Sequence, residues 1–149
     1  MKKKYRITIH CAATPADADY TEQQLERDHL ARNIKSPGGY HRYIRKSGKV
    51  IDMRPFSRKG AHAAPYNQDN IGLCYEGGLK AGGKTWRDAS DTRTESQKAS
   101  LLDCVYEAII WIQEQGDYDI EIIGHGQLPG INKACPSFDA LAEYAWITS

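Results

Sequence analysis

Charge of either sign is not in excess in this sequence. Twenty lysines and arginines face 19 aspartates and glutamates, a formal net charge of +1. Such a balance excludes a single-sign field for holding nucleic acid or an anionic membrane. Long apolar runs are also missing, and no stretch is long enough to span a bilayer as a helix. Lys2-Lys3-Lys4 resembles the charged start of a signal peptide, but Tyr5-Arg6-Ile7-Thr8-Ile9-His10 alternates where an apolar segment should follow. The expectation is synthesis in the cytoplasm with no secretory route of the chain's own. Cysteines number four, at positions 11, 74, 104 and 135, too few and too scattered for a disulfide framework. The first three sit among apolar residues and read as small buried hydrophobes. Cys135 differs, because it lies in a loop between Lys133 and Pro136. Internal repeats, low-complexity tracts and interdomain linkers are absent as well. With 149 residues, 40% of them hydrophobic, the sequence suffices for one domain over 1–149 with a sizeable core.

What is present organises into alternating elements. Tyr5 to Cys11 has period two: Tyr5, Ile7, Ile9 and Cys11 share one face, and Arg6, Thr8 and His10 the other. Ala12 to Asp19 reads as a loop. Thr21 is placed as a helix N-cap with Gln24 closing a capping box and Tyr20 stapling onto Leu25, and the helix is predicted to run to about Asn33, with His29 structural within it. Tyr40 to Arg45 and Val50 to Arg54 read as strands joined by a turn at Lys46-Ser47-Gly48-Lys49. Phe56 to Asn70 is a long connection, and Ile71 to Glu76 a further strand. Leu79 to Arg93 is glycine-rich and charged with Trp86 as its anchor; between a flap over a site and a surface loop, the surface loop is favoured. Thr94 and Gln97 form a second capping box. Leu102, Val105, Ile109 and Ile112 predict a core-facing stripe, and Gly116 ends that helix. Ile120 to Ile123 is a buried strand. Ser137 caps a last helix in which Leu141 and Tyr144 point inward and Trp146 covers an edge. The order predicts an α/β domain with a mixed central sheet flanked by helices.

The chemistry concentrates in Gly124-His125-Gly126-Gln127-Leu128-Pro129-Gly130-Ile131-Asn132-Lys133-Ala134-Cys135-Pro136. His125 stands just past a strand end, and Cys135 follows ten positions later after a Pro-Gly turn. An imidazole and a thiolate brought together this way are two ligands of a zinc site. His10, at the end of a strand able to lie beside the one before His125, supplies a third. Three protein ligands leave an open position, the pattern of a catalytic rather than a structural zinc. Zinc there would activate water and polarise a carbonyl for hydrolysis of amides or esters. The oxyanion so formed needs a fixed cation or phenol beside it. Lys133, two residues before Cys135, and Tyr40, at a strand mouth after two glycines, are placed to supply them.

These residues also carry a resemblance. His10-Cys11-Ala12-Ala13-Thr14, Gly39-Tyr40-His41, Ile44-Arg45-Lys46-Ser47-Gly48-Lys49-Val50, Gly60-Ala61-His62, Tyr66-Asn67, Ile71-Gly72 and Lys133-Ala134-Cys135-Pro136-Ser137-Phe138 resemble, in order, the zinc amidase family of phage lysozymes and peptidoglycan recognition proteins. The match spans nearly the whole chain. It implies the fold of that family, peptidoglycan or a muropeptide as partner, and N-acetylmuramoyl-L-alanine amidase activity of the phage cell-wall lysin kind. That activity would reach the wall only on release from the cell. The resemblance assigns Zn2+ to His10, His125 and Cys135, catalysis to Tyr40 and Lys133, and muramyl-peptide contact to His62. His41 matches a recurrent position but lies on the strand face away from Tyr40. Two features depart from the family: the loop from His125 to Cys135 is slightly longer, and Gly126 and Gln127 stand where relatives often carry Arg and an acidic residue. The alternative is a recognition module that binds peptidoglycan without cutting it, a group in which the zinc-binding cysteine is typically lost. A second rival, Cys135 as nucleophile paired with His125, leaves His10 unexplained.

Overall fold

In the computed structural model, which describes residues 1–148, the chain runs through β1 (Lys4–Cys11), β2 (Thr14–Pro15), α1 (Glu22–Ala31), β3 (Arg42–Ile44), β4 (Val50–Asp52), β5 (Asn70–Tyr75) and β6 (Gly78–Leu79). It continues through α2 (Glu95–Gln115), β7 (Asp119–Gly124) and α3 (Ala140–Thr148), with single 3-10 turns at Trp86–Asp88 and His125–Gln127. The main sheet has the order β4-β3-β5-β1-β7, and β2 pairs with β6 in a small second sheet. Within the main sheet β3, β5, β1 and β7 run parallel and β4 alone is antiparallel. This is the mixed sheet expected.

The two faces are different environments. Ile7, Ile9, Ile71, Leu73 and Tyr75 pack under α2 and α3 in the larger core. Each such fully buried apolar side chain contributes on the order of 1.5–3 kcal/mol. On the opposite face Tyr43 and Cys74 pack with Leu25 of α1, and Tyr20 and Tyr40 border them. His10 shares that face, since it is the register partner of Cys74. The C-terminal ends of β1, β5 and β7 lie together, the usual place for a site in a parallel sheet.

Helix ends follow their predicted caps in part. Thr21 accepts from the Gln24 backbone N–H at 3.2 Å. The Gln24 side chain does not return to close the box; its Nε2 donates to Asp28 Oδ1 at 2.8 Å. At its other end α1 stops at Ala31, short of Asn33, which has left-handed backbone geometry (φ 63°). The Thr94–Gln97 box forms with both hydrogen bonds. Gln97 is fully buried, and its Nε2 also donates to the Ile44 and Glu76 carbonyls. The cap of α3 is Asp139, whose Oδ1 accepts from Ala142 N at 3.1 Å, not Ser137, whose hydroxyl donates to the Gly78 carbonyl.

Three packing expectations are corrected. The buried stripe of α2 is Leu101, Cys104, Val105, Ala108 and Ile112, with Leu102 and Ile109 on its margin. Two alternative leucines stand at the helix start, and periodicity alone could not choose between them. Leu141 is exposed, and Ala140 and Tyr144 are the buried residues of α3. Trp86 anchors nothing: 68% of it is exposed. The loop that carries it is nevertheless tied down. Leu79 bridges Ala89, Lys80 N donates to the Asp88 carbonyl at 2.9 Å, and Ser90 N donates to the Gly78 carbonyl at 2.9 Å.

The register of α2 makes a direct test. Leu101→Ala should cost about 2–5 kcal/mol, whereas Leu102→Ala should cost markedly less. Equal losses in urea unfolding would contradict this packing.

Candidate metal centre and active site

Parallel pairing of β1 with β7 puts Ile9 opposite Gly124. The next residue of each strand is a histidine. Their rings lie with centroids 4.5 Å apart. The third donor arrives through a return of the chain. Gly126 N donates to the Cys135 carbonyl at 2.8 Å, and the Tyr75 hydroxyl donates to the Pro136 carbonyl at 2.6 Å. A Cβ on Gly126 would lie 1.9 Å from the Lys133 carbonyl oxygen, so the return needs glycine there. His10, His125 and Cys135 thus each present one ligand atom, all within 4.8 Å of one another. Around a tetrahedral zinc, with Zn–N near 2.0 Å and Zn–S near 2.3 Å, neighbouring donors stand about 3.3–3.6 Å apart. Small side-chain adjustments close that difference, and the donor set of two imidazoles and one thiol fits zinc.

Hydrogen bonds behind the donors settle which nitrogen faces the site. The His62 ring has Nε2 3.3 Å from the Asn70 carbonyl oxygen and Nδ1 2.9 Å from His10 Nε2. A carbonyl can only accept, so His62 Nε2 carries the proton and His62 Nδ1 offers a lone pair. His10 Nε2 then donates to it. The lone pair of His10 falls on Nδ1, which points at Cys135 Sγ 4.0 Å away. This arrangement orients a metal-ligating histidine. Cys135 Sγ in turn accepts the Cys11 backbone N–H at 3.2 Å, a bond that favours thiolate. Against that bond, the Cys11 thiol beside it and burial push the Cys135 thiol well above its ordinary range.

Tyr40 and Lys133 share the cavity, of about 490 Å3, with these residues. The Tyr40 ring centroid is 4.9 Å from that of His10. Burial and the neighbouring thiols of Cys74, Cys135 and Cys11 hold the Tyr40 phenol well above its usual range, so it is a protonated donor at neutral pH. Lys133 is exposed at the cavity mouth and close enough to depress both His10 and His125. His62 also forms part of the cavity wall, but both of its ring nitrogens are engaged inside the protein. His41 stands outside the cavity lining: its Nδ1 accepts from Gly72 N, its Nε2 donates to the Arg58 carbonyl, and its ring packs edge-on against that of His62. Sequence reasoning missed Asn70 and Cys11, which act through backbone atoms, and Asn67, whose Oδ1 accepts from the His62 and Ala63 N–H groups. Of these, Cys11 and Asn67 stand inside the quoted motifs, and Asn70 leaves no signal.

The arrangement defines a class, an α/β domain with a candidate two-histidine, one-cysteine metal centre at the C-terminal edge of its parallel strands. Comparison with known proteins narrows it. The family described as N-acetylmuramoyl-L-alanine amidase matches residues 3–138. The endolysin of Klebsiella phage KP32 is 28% identical over 134 residues, covering 90% of this chain and 81% of that protein. Two solved structures share the fold. The amidase LysC of Clostridium intestinale aligns with TM-score 0.70 and 22% identity over 98% of this chain and 86% of its own. The Drosophila peptidoglycan recognition protein SD aligns with TM-score 0.71 and 20% identity over 99% and 83%. The chain belongs to the N-acetylmuramoyl-L-alanine amidase family and is an amidase.

Two outcomes follow. His62→Gln should weaken zinc binding about 10–100-fold in a competition titration, because His10 loses the partner that fixes its ring. Unchanged affinity would remove His62 from the site's support. The second concerns acid. All five histidines have their pKa lowered from the ordinary 6.5 chiefly by burial, His41 to about 4, His62 to about 3 and His125 to about 4. Between those values the unfolded chain binds more protons than the folded one, so stability rises with pH in this window and is lost as pH falls through it. The urea midpoint of metal-free protein should drop steadily from pH 7 to pH 4.5, and a flat profile would contradict the burial of these rings.

Proposed function

We propose that the protein is a zinc amidase that cuts between the lactyl group of N-acetylmuramic acid and the L-alanine of the peptidoglycan stem. It acts as an endolysin on the wall once released from the cell that makes it. The observation carrying this reading is the convergence of His10, His125 and Cys135 from three separate segments to within 4.8 Å. The phage endolysin among its relatives supports the setting.

Zinc held by these three residues would supply an activated water and polarise the scissile carbonyl. The chain's own groups do the rest. Asn70 and His62 fix the His10 tautomer, so its lone pair needs no reorganisation to serve as a ligand. The Tyr40 phenol, kept protonated, donates toward the oxygen on which negative charge develops. The Lys133 ammonium faces the same charge from the cavity mouth. Fixed donors of this kind act most strongly where water is excluded. Cys135 gives the centre one anionic ligand, which anchors the cation against two neutral imidazoles. A thiol nucleophile is less well supported, because Cys11 and His10 both hold the Cys135 sulfur toward the metal position.

Purified protein should carry one equivalent of zinc, and a chelator should abolish the release of new amino termini from cell walls. Lys133→Ala should lower kcat by about 10²–10³-fold while zinc content is retained. Undiminished cleavage by metal-free protein would overturn the proposal.

A further inference from the structure

Trp86 is the largest exposed aromatic surface next to the site, and the amidase chemistry leaves it without a task. Its exposure of 68% is not that of a frayed loop. Asp88 Oδ2 accepts from Lys84 N at 2.8 Å and from Thr85 N at 3.2 Å, closing a capped turn under the indole. The strand pair β2–β6 holds the base of the same loop. Arg87 stacks on the indole, its guanidinium carbon 4.9 Å from the ring centroid. The turn thus presents a rigid indole to solvent, amphipathic in the way that suits Trp to interfaces.

The space before that indole is a cavity of about 590 Å3, walled by Trp86, Leu79 and Ala89 on one side and by Asn132, Lys133 and Ser137 on the other. Cys135 and Cys11 line both this cavity and the metal cavity, so the two meet at the centre. A bond positioned at the centre therefore sends its two halves into two different spaces. Those halves differ chemically. On one side of the scissile amide is a glycan, uncharged and built of pyranose rings and N-acetyl groups. On the other is a stem peptide with free carboxylates. Among the described residues lining the cavity at Trp86, Lys133 alone is charged, and it serves the reacting centre; Arg87 lies on the indole outside that lining. The metal cavity continues instead past Arg32, a cation suited to a carboxylate.

We propose that Trp86 is the stacking platform of a glycan subsite, with the sugar ring against the indole and the Asn132 and Ser137 side chains available to hydroxyl and N-acetyl groups. The stem peptide takes the other direction, toward Arg32. This assignment rests on the amidase reading only for the identity of the substrate. The indole has one flat apolar face to offer, and pyranose C–H groups match it without any charge to neutralise.

The test uses the full-length zinc-loaded protein and does not require cleavage. Its tryptophan indole N–H signals are followed by NMR while the free N-acetylglucosaminyl-N-acetylmuramic acid disaccharide, or the free stem peptide, is added. The Trp86 signal is identified by its loss in Trp86→Phe. The disaccharide should shift that signal saturably, and the peptide should not. In cleavage of the disaccharide-peptide, Trp86→Ala should raise KM about tenfold, with Trp86→Phe restoring most of the loss. A Trp86 signal that ignores the disaccharide, or follows the peptide instead, overturns the subsite. Failure of the wild-type protein to release stem peptide is a separate result, which counts against the amidase reading alone.

Discussion

Ile9 of β1 lies opposite Gly124 of β7, and every feature of the centre follows from that pairing. A shift of one residue would turn His10 from the α1 face to the α2 face, because side chains alternate along a strand. His10 would then point into the larger core, and no rearrangement of the later loop could recover a shared ligand position. Register is protected on both sides. Ile7, Ile9 and Cys11 are buried against α2 and α3, while Thr8 on the other face donates to Asn70 Oδ1 at 2.7 Å. The packing that stabilises the sheet also aims the first ligand.

The second constraint is the return from His125 to Cys135. Gly126 and Gln127 each have a structural task in it. Gly126 admits the Lys133 carbonyl where a side chain would collide. Gln127 ties three elements together: its Oε1 accepts from Gly124 N at 2.9 Å and Leu141 N at 3.2 Å, and its Nε2 donates to Asp139 at 2.7 Å. The strand end, the ligand loop and the start of α3 thus move as one unit. A tight backbone approach and a bridging amide therefore hold this return.

Much of this was readable in one dimension. Period two in β1 assigned His10 to the face opposite the isoleucines, and the loop composition joined His125 to Cys135. What sequence reading leaves open or misplaces depends on distance across the fold. His62 stands 52 residues from His10, and the 2.9 Å bond between them has no local signature. It reads as a groove histidine until the Asn70 carbonyl behind it is seen. Leu101 and Leu102 have the same chemistry, and only the docked helix separates them. Asp139 outcompetes Ser137 as a cap because the Ser137 hydroxyl is already committed to the Gly78 carbonyl. The sequence offers Trp86 as the anchor of its loop, and the turn built on Asp88 holds it outward instead.

The histidine cluster shows why such a centre must be paid for elsewhere in the fold. His10, His41 and His62 lie in one chain of ring contacts, with centroids 4.9 Å apart for His10–His62 and 5.8 Å for His41–His62. Burial keeps these rings uncharged, and an uncharged imidazole is both a metal ligand and a relay of hydrogen bonds. A neutral ring buried this deeply must have its polar atoms satisfied, and the Asn70 and Arg58 carbonyls and the Gly72 N–H do this. Those partners come from the backbone, whose positions the sheet and its flanking loop set. A cation that binds only the assembled donors would then stabilise the fold in proportion to its affinity. Ligand geometry, acid sensitivity and folding stability are therefore linked properties of one buried array, and a change to any imidazole in it is expected to move all three together.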